Sequence, residues 1–229
     1  MAVPKFRLSR PSHAIEARTW TMIGKVAPAP VSDILHARGL HDQAMRFDIQ
    51  PLHPGKPLAG IARTMISQPL VGDPRPGKEY ELLFAAIDGL RPGEVLVTDR
   101  TDCCVWGELC TEVAIRRGAN GAVIDGFTRD SAAVKRLGFP VYCRGRQMSD
   151  MLYHRVVTGI DEPVVSGGVQ VWPGDLLLGS QDGVVVVPGR LIDEVIAEAD
   201  AKSTTESKVR TALREGMSAA EAFKKYGVM

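Results

Sequence analysis

The sequence predicts an α/β fold: a layer of parallel strands packed with helices, then a β-rich half, then a helical C-terminus. Three observations predict it. Between residues 94 and 143 short apolar runs alternate with helical stretches, the rhythm of a parallel sheet with crossover helices. Val-rich runs separated by Gly and Pro follow over residues 164–187. From Leu191 onward the chain is long, charged and helical in pattern.

The elements follow in order. Residues 1–30, with Pro4, Pro11, Pro28 and Pro30, read as an arm rather than core. A short helix opens at Val31–Leu35, with Ser32 as its N-cap. Leu58 to Ile66 reads as a strand, residues 70–77 as a Gly/Pro loop, and Lys78 to Asp88 as a helix with Leu82, Leu83, Ala86 and Ile87 on one side. Glu94–Thr98 is a buried strand after the turn Arg91-Pro92-Gly93. A strand and turn at Trp106 run into a helix, Gly107 to Arg117, which Gly118 closes. Ala122–Ile124 is a strand, Arg129 to Leu137 a helix closed by Gly138, and Pro140–Cys143 a third strand. Val164–Val165, Val169–Trp172, Asp175–Leu178 and Gly183–Val187 are short strands. The C-terminal helix breaks at Gly216, and a capped last turn starts at Ser218. The organisation expected is an arm (1–30), one catalytic domain (31–190) and a helical extension (191–229).

Composition excludes several classes. With 45% hydrophobic residues the chain can bury one sizeable core, and 28 basic against 27 acidic residues leave no charged block suited to nucleic acid. No apolar run approaches the roughly 20 residues that span a bilayer, so a soluble, cytoplasmic protein is expected. Cys103, Cys104, Cys110 and Cys143 lack the paired spacing of a zinc site and read as reduced packing thiols. His13, His36, His41, His53 and His154 are scattered without a metal-binding spacing.

Two segments stand out as candidate chemistry. At Trp106-Gly107-Glu108-Leu109-Cys110 the N–H groups of a helix start can cradle a carboxylate or phosphate, and Gly107 allows close approach. Cys110 in that position would have a lowered thiol pKa if exposed. At Asp125-Gly126-Phe127-Thr128-Arg129-Asp130 a second strand end turns into a helix. Arg129 offers a planar fork for a carboxylate, and Asp130 offers oxygen to a hard cation such as Mg²⁺. Each segment also has a plainer reading, as an ordinary helix start with solvated first-turn residues. Both end neighbouring strands, however, and ligands of α/β sheets sit at carboxyl ends of strands. An Arg and N–H groups holding a carboxylate, with a metal polarising the adjacent carbonyl, would stabilise an enolate. That suits aldol cleavage or decarboxylation of a 2-oxo acid.

Glu108, then 20 residues, then Arg129-Asp130 resembles the Asp/Glu-x20-Arg-Asp signature of class II pyruvate aldolases of the 4-hydroxy-4-methyl-2-oxoglutarate aldolase family. These share a fold with RraA, the regulator of ribonuclease activity. The resemblance runs from about Val31 to Arg214 and includes Gly60–Thr64, Trp106–Leu109, Gly121–Gly126, Trp172–Asp175 and Asp182–Pro188. It implies a three-layer α/β/β swivelling-domain sandwich, assembled as a homotrimer or a dimer of trimers. It implies substrate binding through Gly107, Glu108, Leu109 and Cys110, a pyruvate carboxylate on Arg129, and Mg²⁺ or Mn²⁺ on Asp130. Glu108 would steer or activate a metal-bound water that protonates the enolate. The substrate implied is a 4-hydroxy-2-oxo diacid cleaved to pyruvate and a second oxo acid, with oxaloacetate decarboxylation as a side activity. The alternatives are a non-catalytic regulator that binds a ribonuclease or RNA helicase, and an enzyme of the same scaffold acting on another sugar acid. Asp130 favours the enzyme. The chain departs from the family where Gly179-Ser180-Gln181-Asp182-Gly183 replaces Ala-Asp-x-Asp-Gly, and where the loop Asp99–Cys104 carries extra charge, changes expected to lie near or beyond the substrate entrance.

In the C-terminal helix, Ile192, Val195, Ile196 and Ala199 form an apolar stripe expected to pack on a neighbouring chain, as Val209, Leu213, Phe223 and Tyr226 would beyond it. Glu206 resembles the glutamate that family members donate to an adjacent subunit's metal waters. Its plainer role is a surface pair with Arg210.

Overall fold

The computed structural model describes residues 15, 17–72 and 80–228. His13, the first part of the expected arm, most of the loop at 70–77 and the helix start at Lys78 lie outside them.

The described helices are α1 (Ala17–Ile23), α2 (Pro28–Ala37), α3 (Glu81–Asp88), α4 (Glu108–Arg116), α5 (Ser131–Leu137), α6 (Ile192–Arg214) and α7 (Ala219–Tyr226). The strands are β1 (Gln50–Pro51), β2 (Leu58–Pro69), β3 (Glu94–Thr98), β4 (Cys104–Trp106), β5 (Gly121–Thr128), β6 (Val141–Arg146), β7 (Arg155–Ile160), β8 (Val164–Ser166), β9 (Val169–Val171), β10 (Leu176–Ser180) and β11 (Gly183–Val187). Nine of them form one sheet in the order β1-β6-β5-β3-β2-β10-β11, with β4 on β5 and β7 on β2; β8 and β9 make a separate hairpin. Strands β2, β3, β5 and β6 are parallel, as the alternating pattern requires, and β10–β11 extend the sheet antiparallel.

Period-two alternation assigns each face. Met65, Leu96, Ala122, Ile124, Val141 and Cys143 point to α3, α4 and α5. Leu176, Leu178, Val185 and Val187, on that same face, meet α1, α2 and α6. The opposite face carries Leu58, Val95, Val97, Val123, Tyr142, Leu177 and Val186, and the β8–β9 hairpin covers it with Val164, Val169 and Val171. Helices, large sheet and hairpin are thus the three layers expected. The sheet is nearly closed on itself by residues 43–52. At one end Met45 N–H donates to Val184 O (2.8 Å) and Val186 N–H to Gln43 O (2.9 Å); at the other, Leu52 N–H donates to Val141 O (2.8 Å). Inside, Tyr142 packs where Gly179 has no side chain: a Cβ there would come within 2.8 Å of the ring.

Several expectations need correction. Residues 17–30 are not an arm: they form α1 and the start of α2, and Ile23, Val26 and Pro30 are buried. Ser32 is not an N-cap, because Pro28 sits in the first turn and Ala27 caps without a side-chain bond; a proline lacks the N–H that a helix start leaves unpaired anyway. The stripe Ile192, Val195, Ile196 and Ala199 is at most 1% exposed and packs within its own chain. At about 1.5–3 kcal/mol per fully buried large aliphatic side chain, it anchors α6 to β10 and β11 and leaves nothing for a neighbour. Val209 is likewise buried, whereas Leu213 and Phe223 remain exposed. The substituted segment 179–183 is the β10–β11 turn; Gly179 pairs with Leu58 at the start of β2, so it lies away from the carboxyl ends of the parallel strands. Two charges of the loop after β3 are paired within the chain: Asp99 with Arg155 (3.0 Å) and the exposed Asp102 with Arg144 (3.3 Å).

Most of the motif residues outside the two chemical segments hold the fold. Arg63, 5% exposed, donates to the carbonyl of Gly89 at the end of α3. Asp125, 1% exposed on its side chain, accepts Gly167 N–H (2.8 Å) and pairs with Arg46 (3.2 Å), fastening the hairpin to β5. Asp175 accepts Trp172 and Gly189 N–H (2.8 Å each), a turn-forming role, and burial pushes its carboxyl up. Asp182 bonds the Ser180 hydroxyl in the β10–β11 turn.

Candidate active site

The site begins with Trp106. Its indole, 1% exposed and stacked on Phe139, donates to the Thr111 hydroxyl (2.8 Å), and that hydroxyl donates to Gly107 O (2.9 Å). These bonds fix the passage from β4 into α4. Trp106 O also accepts the Thr128 hydroxyl (2.9 Å) and Arg129 N–H (3.0 Å), tying the end of β5 to the same point. Gly107–Cys110 and Arg129–Asp130 are therefore neighbours, brought together by parallel pairing of β4 with β5.

Asp130 caps α5 in the left-handed region, φ 54° and ψ 30°. Asp tolerates this conformation better than most residues, and such strain concentrates at functional sites. It turns the carboxylate back toward α4, where Oδ2 accepts Glu108 N–H (3.3 Å). Gly107 makes room: a Cβ there would stand 2.7 Å from Asp130 Oδ2. The N–H groups of Leu109 and Cys110 belong to the first turn, which has no internal acceptors for them.

Arg129 Nη2 reaches Asp150 Oδ2 at 2.8 Å. The other Asp150 oxygen accepts the Tyr80 hydroxyl (2.7 Å) and Leu152 N–H (2.9 Å). One guanidinium edge is thus anchored and the fork is oriented. Sequence reasoning missed Asp150 and Tyr80. The available signal was modest, an Asp capping a short turn at Met151–Tyr153.

These groups border a cleft of about 240 Å³ in which Gly107, Leu109, Cys110, Arg129, Asp130 and Asp150 meet the apolar side chains of Leu83, Phe84, Val105 and Met151. Glu108, half-buried on the first turn, gives its N–H to Asp130, while its side chain is not part of the cleft wall. Glu206 does not reach this cleft in its own chain, because α6 lies over β10 and β11, and it makes no ion pair with Arg210. The Cys110 thiol is pushed up to about 11 by burial, the reverse of the lowering expected for an exposed thiol at a helix start. The four cysteines are free, as expected.

Among the described residues no group of three or more His, Cys, Asp or Glu gathers around a common point. A tight zinc-type site is not built. Asp130, an exposed single carboxylate with one oxygen outside the Glu108 contact, fits a hard cation that keeps most of its waters.

Residues 28–186 match the family model RraA-like, described as Aldolase/RraA. The chain belongs to the RraA-like family. Among RraA-like relatives, a Halalkalibacterium halodurans protein provisionally named 4-hydroxy-4-methyl-2-oxoglutarate aldolase is 32% identical over 178 residues, 76% of this chain and 80% of that protein. Protein DlpA of Legionella pneumophila is 30% identical over 202 residues; the match covers 86% of this chain but only 32% of DlpA, so the chain spans about a third of that protein. A Pseudomonas syringae structure superposes with a TM-score of 0.83 at 31% identity, over 93% of this chain and 95% of the other. Streptomyces coelicolor RraAS2, described as an unusual member of the RNase ES inhibitor RraA family, superposes at 0.74 with 28% identity, over 86% and 97%. The RraA-like fold is thus the one expected. No described helix is long and apolar enough to cross a membrane.

Proposed function

We propose that this RraA-like protein is a divalent-metal-dependent lyase that cleaves a 4-hydroxy-2-oxo acid to pyruvate and a second carbonyl compound. The observation that carries the reading is the meeting, in one cleft, of the α4 N–H groups, the anchored Arg129 fork and the outward Asp130 carboxylate.

The free edge of Arg129 and the N–H groups of Leu109 and Cys110 bind the substrate carboxylate and orient the 2-oxo group toward Asp130. Asp130 would hold Mg²⁺ or Mn²⁺, which supplies Lewis-acid polarisation of the 2-oxo carbonyl when bound. Glu108, beside the cleft at the start of α4, would steer a water that takes the proton of the C4 hydroxyl. The C3–C4 bond breaks, its electron pair moves into the C2 carbonyl as an enolate, and C4 leaves as a carbonyl. The same water returns a proton to C3, giving pyruvate. Oxaloacetate loses CO₂ by the same enolate route.

The test is pyruvate release from 4-hydroxy-2-oxo acids and from oxaloacetate, with Mg²⁺ and with chelator. Chelator-sensitive release is expected. The second reading, a non-catalytic regulator of a ribonuclease, draws on the likeness to RraAS2. It takes over if no substrate yields pyruvate while the folded protein inhibits a ribonuclease.

Glu206 joins the site only from a second copy, in a homotrimer or a pair of trimers. That assembly is part of the proposal and rests on the family likeness, since the α6 stripe no longer argues for it.

A further inference from the structure

We infer that Asp150, steadied by Tyr80, is a positioning residue: it sets the Arg129 fork before a substrate arrives, so that its loss weakens binding and spares the chemical step. This rests on the lyase reading.

Arg129 is fixed at two points along its side chain. Its stem runs beside Gly107, where a Cβ would stand 3.6 Å from Arg129 Cγ. Its fork ends on Asp150, with Nη2 2.8 Å from Oδ2. The two side chains are 38% and 29% exposed, and an exposed ion pair is usually weak because two flexible groups must be held in one geometry. Here one partner is immobile already. The backbone of Asp150 bridges Cys104 of β4, and Cys104 N–H donates to Ser149 O (2.8 Å). Asp150 Oδ1 caps the turn Met151–Tyr153 through Leu152 N–H (2.9 Å) and accepts the Tyr80 hydroxyl (2.7 Å). Tyr80 stands at the start of α3, its ring 5.5 Å from that of Phe84. Asp150 is thereby tied to β4, to its own turn and to the cleft wall that α3 forms, and its second oxygen meets Arg129.

An arginine side chain carries much rotamer freedom. A loose fork would lose that freedom when a carboxylate binds, whereas a fork set by Asp150 has lost it beforehand. The difference belongs to the binding step. Once a carboxylate sits on Arg129, the 2-oxo group is held in the same place with or without Asp150, so turnover from the bound state changes little. Arg129 itself differs, because it touches the substrate throughout.

The test uses Asp150→Ser in the full-length protein with Mg²⁺. Serine caps a turn as aspartate does but is too short to reach Arg129, which separates the cap from the anchor. Oxaloacetate serves as substrate, and pyruvate as the ligand in calorimetry. The KM for oxaloacetate and the Kd for pyruvate should rise about three- to tenfold, the range for ordering one long side chain. The kcat should stay within about twofold, and Mn²⁺ affinity should not change. Tyr80→Phe keeps the ring and removes one bond to Asp150, and should raise both constants about twofold. Asp150→Ser with KM and Kd unchanged, or with kcat lowered as far as KM is raised, overturns the inference and leaves the lyase reading standing. If Asp150→Ser lowers Tm and Tyr80→Phe leaves KM and Kd unchanged, Asp150 is a structural cap and the inference is wrong. A wild-type protein that neither binds pyruvate nor forms it from oxaloacetate overturns the lyase reading and the inference with it.

Discussion

Replacing Gly107 by Ala adds one methyl group where the structure leaves no room for it. The new Cβ would lie 2.7 Å from Asp130 Oδ2, against the 3.4 Å or more of an ordinary contact. The carboxylate must therefore yield by about 0.7 Å. Its backbone has little freedom: Arg129 N–H is bonded to Trp106 O (3.0 Å), and Asp130 O accepts Val134 N–H (3.0 Å). The side chain is left to rotate, giving up the 3.3 Å contact with Glu108 N–H. The Gly107 backbone is extended (φ −156°, ψ −165°), so alanine adds no backbone strain and the effect is confined to the carboxylate. A displacement approaching 1 Å costs on the order of 10–100-fold in rate, or about 1.4–2.7 kcal/mol in the barrier. The assay is kcat for pyruvate release with Mg²⁺, beside Mg²⁺ affinity and Tm. Gly107→Ala with unaltered Tm, metal affinity and kcat would refute the view that Asp130 acts from this position.

Four further outcomes are expected. Asp130→Asn removes the charged ligand at constant volume, so turnover should fall sharply and excess Mn²⁺ should restore only part of it; unchanged turnover removes the metal assignment. Arg129→Lys keeps charge but loses the fork, so KM should rise and kcat should fall, whereas a change in Tm alone would make Arg129 structural. With its thiol near 11, about one Cys110 in a thousand is ionised at pH 8. Burial raises this pKa, so the protecting effect is complete at lower pH and is lost as pH rises toward 11; alkylation of Cys110, followed by mass spectrometry, should be slow at pH 8 and accelerate about tenfold per pH unit. Finally, inactive Asp130→Asn and Glu206→Gln proteins should recover activity when dissociated and reassembled together, and a fully active Glu206→Gln protein would count against a shared site.

Local signals were legible where local chemistry decides. The strand Glu94–Thr98 is found with the expected bounds, Gly118 and Gly138 take the positive φ of helix ends, and Ser218 caps α7 with a full capping box. The proximity of the two chemical segments was also readable, from parallel alternation. What the sequence concealed depends on tertiary partners. Strand β5 runs on through Gly126 to Thr128 because Phe127 and Thr128 pair with β4 and β6, and Gly126 is needed there because a Cβ would meet the Thr101 hydroxyl oxygen at 2.1 Å. Strand β7 carries no Gly or Pro boundary at its start, and its antiparallel docking on β2 defines it. Asp150 is one aspartate among many until Arg129 and Tyr80 converge on it.

The segment 43–52 that ties β11 to β6 has a consequence for how this chain acquires its shape. Ala44 bridges Val185, so the seam joins residues from opposite parts of the sequence. Loop-closure entropy makes such distant contacts late events, and a ribosome delivers the N-terminal partner long before its mate. Until the last strand emerges, residues 43–45 lack their partner and the Val-lined interior stands open on that side, and the half-made barrel is the species that a chaperone would meet. Once closed, the same seam leaves few unpaired strand edges for another chain to extend.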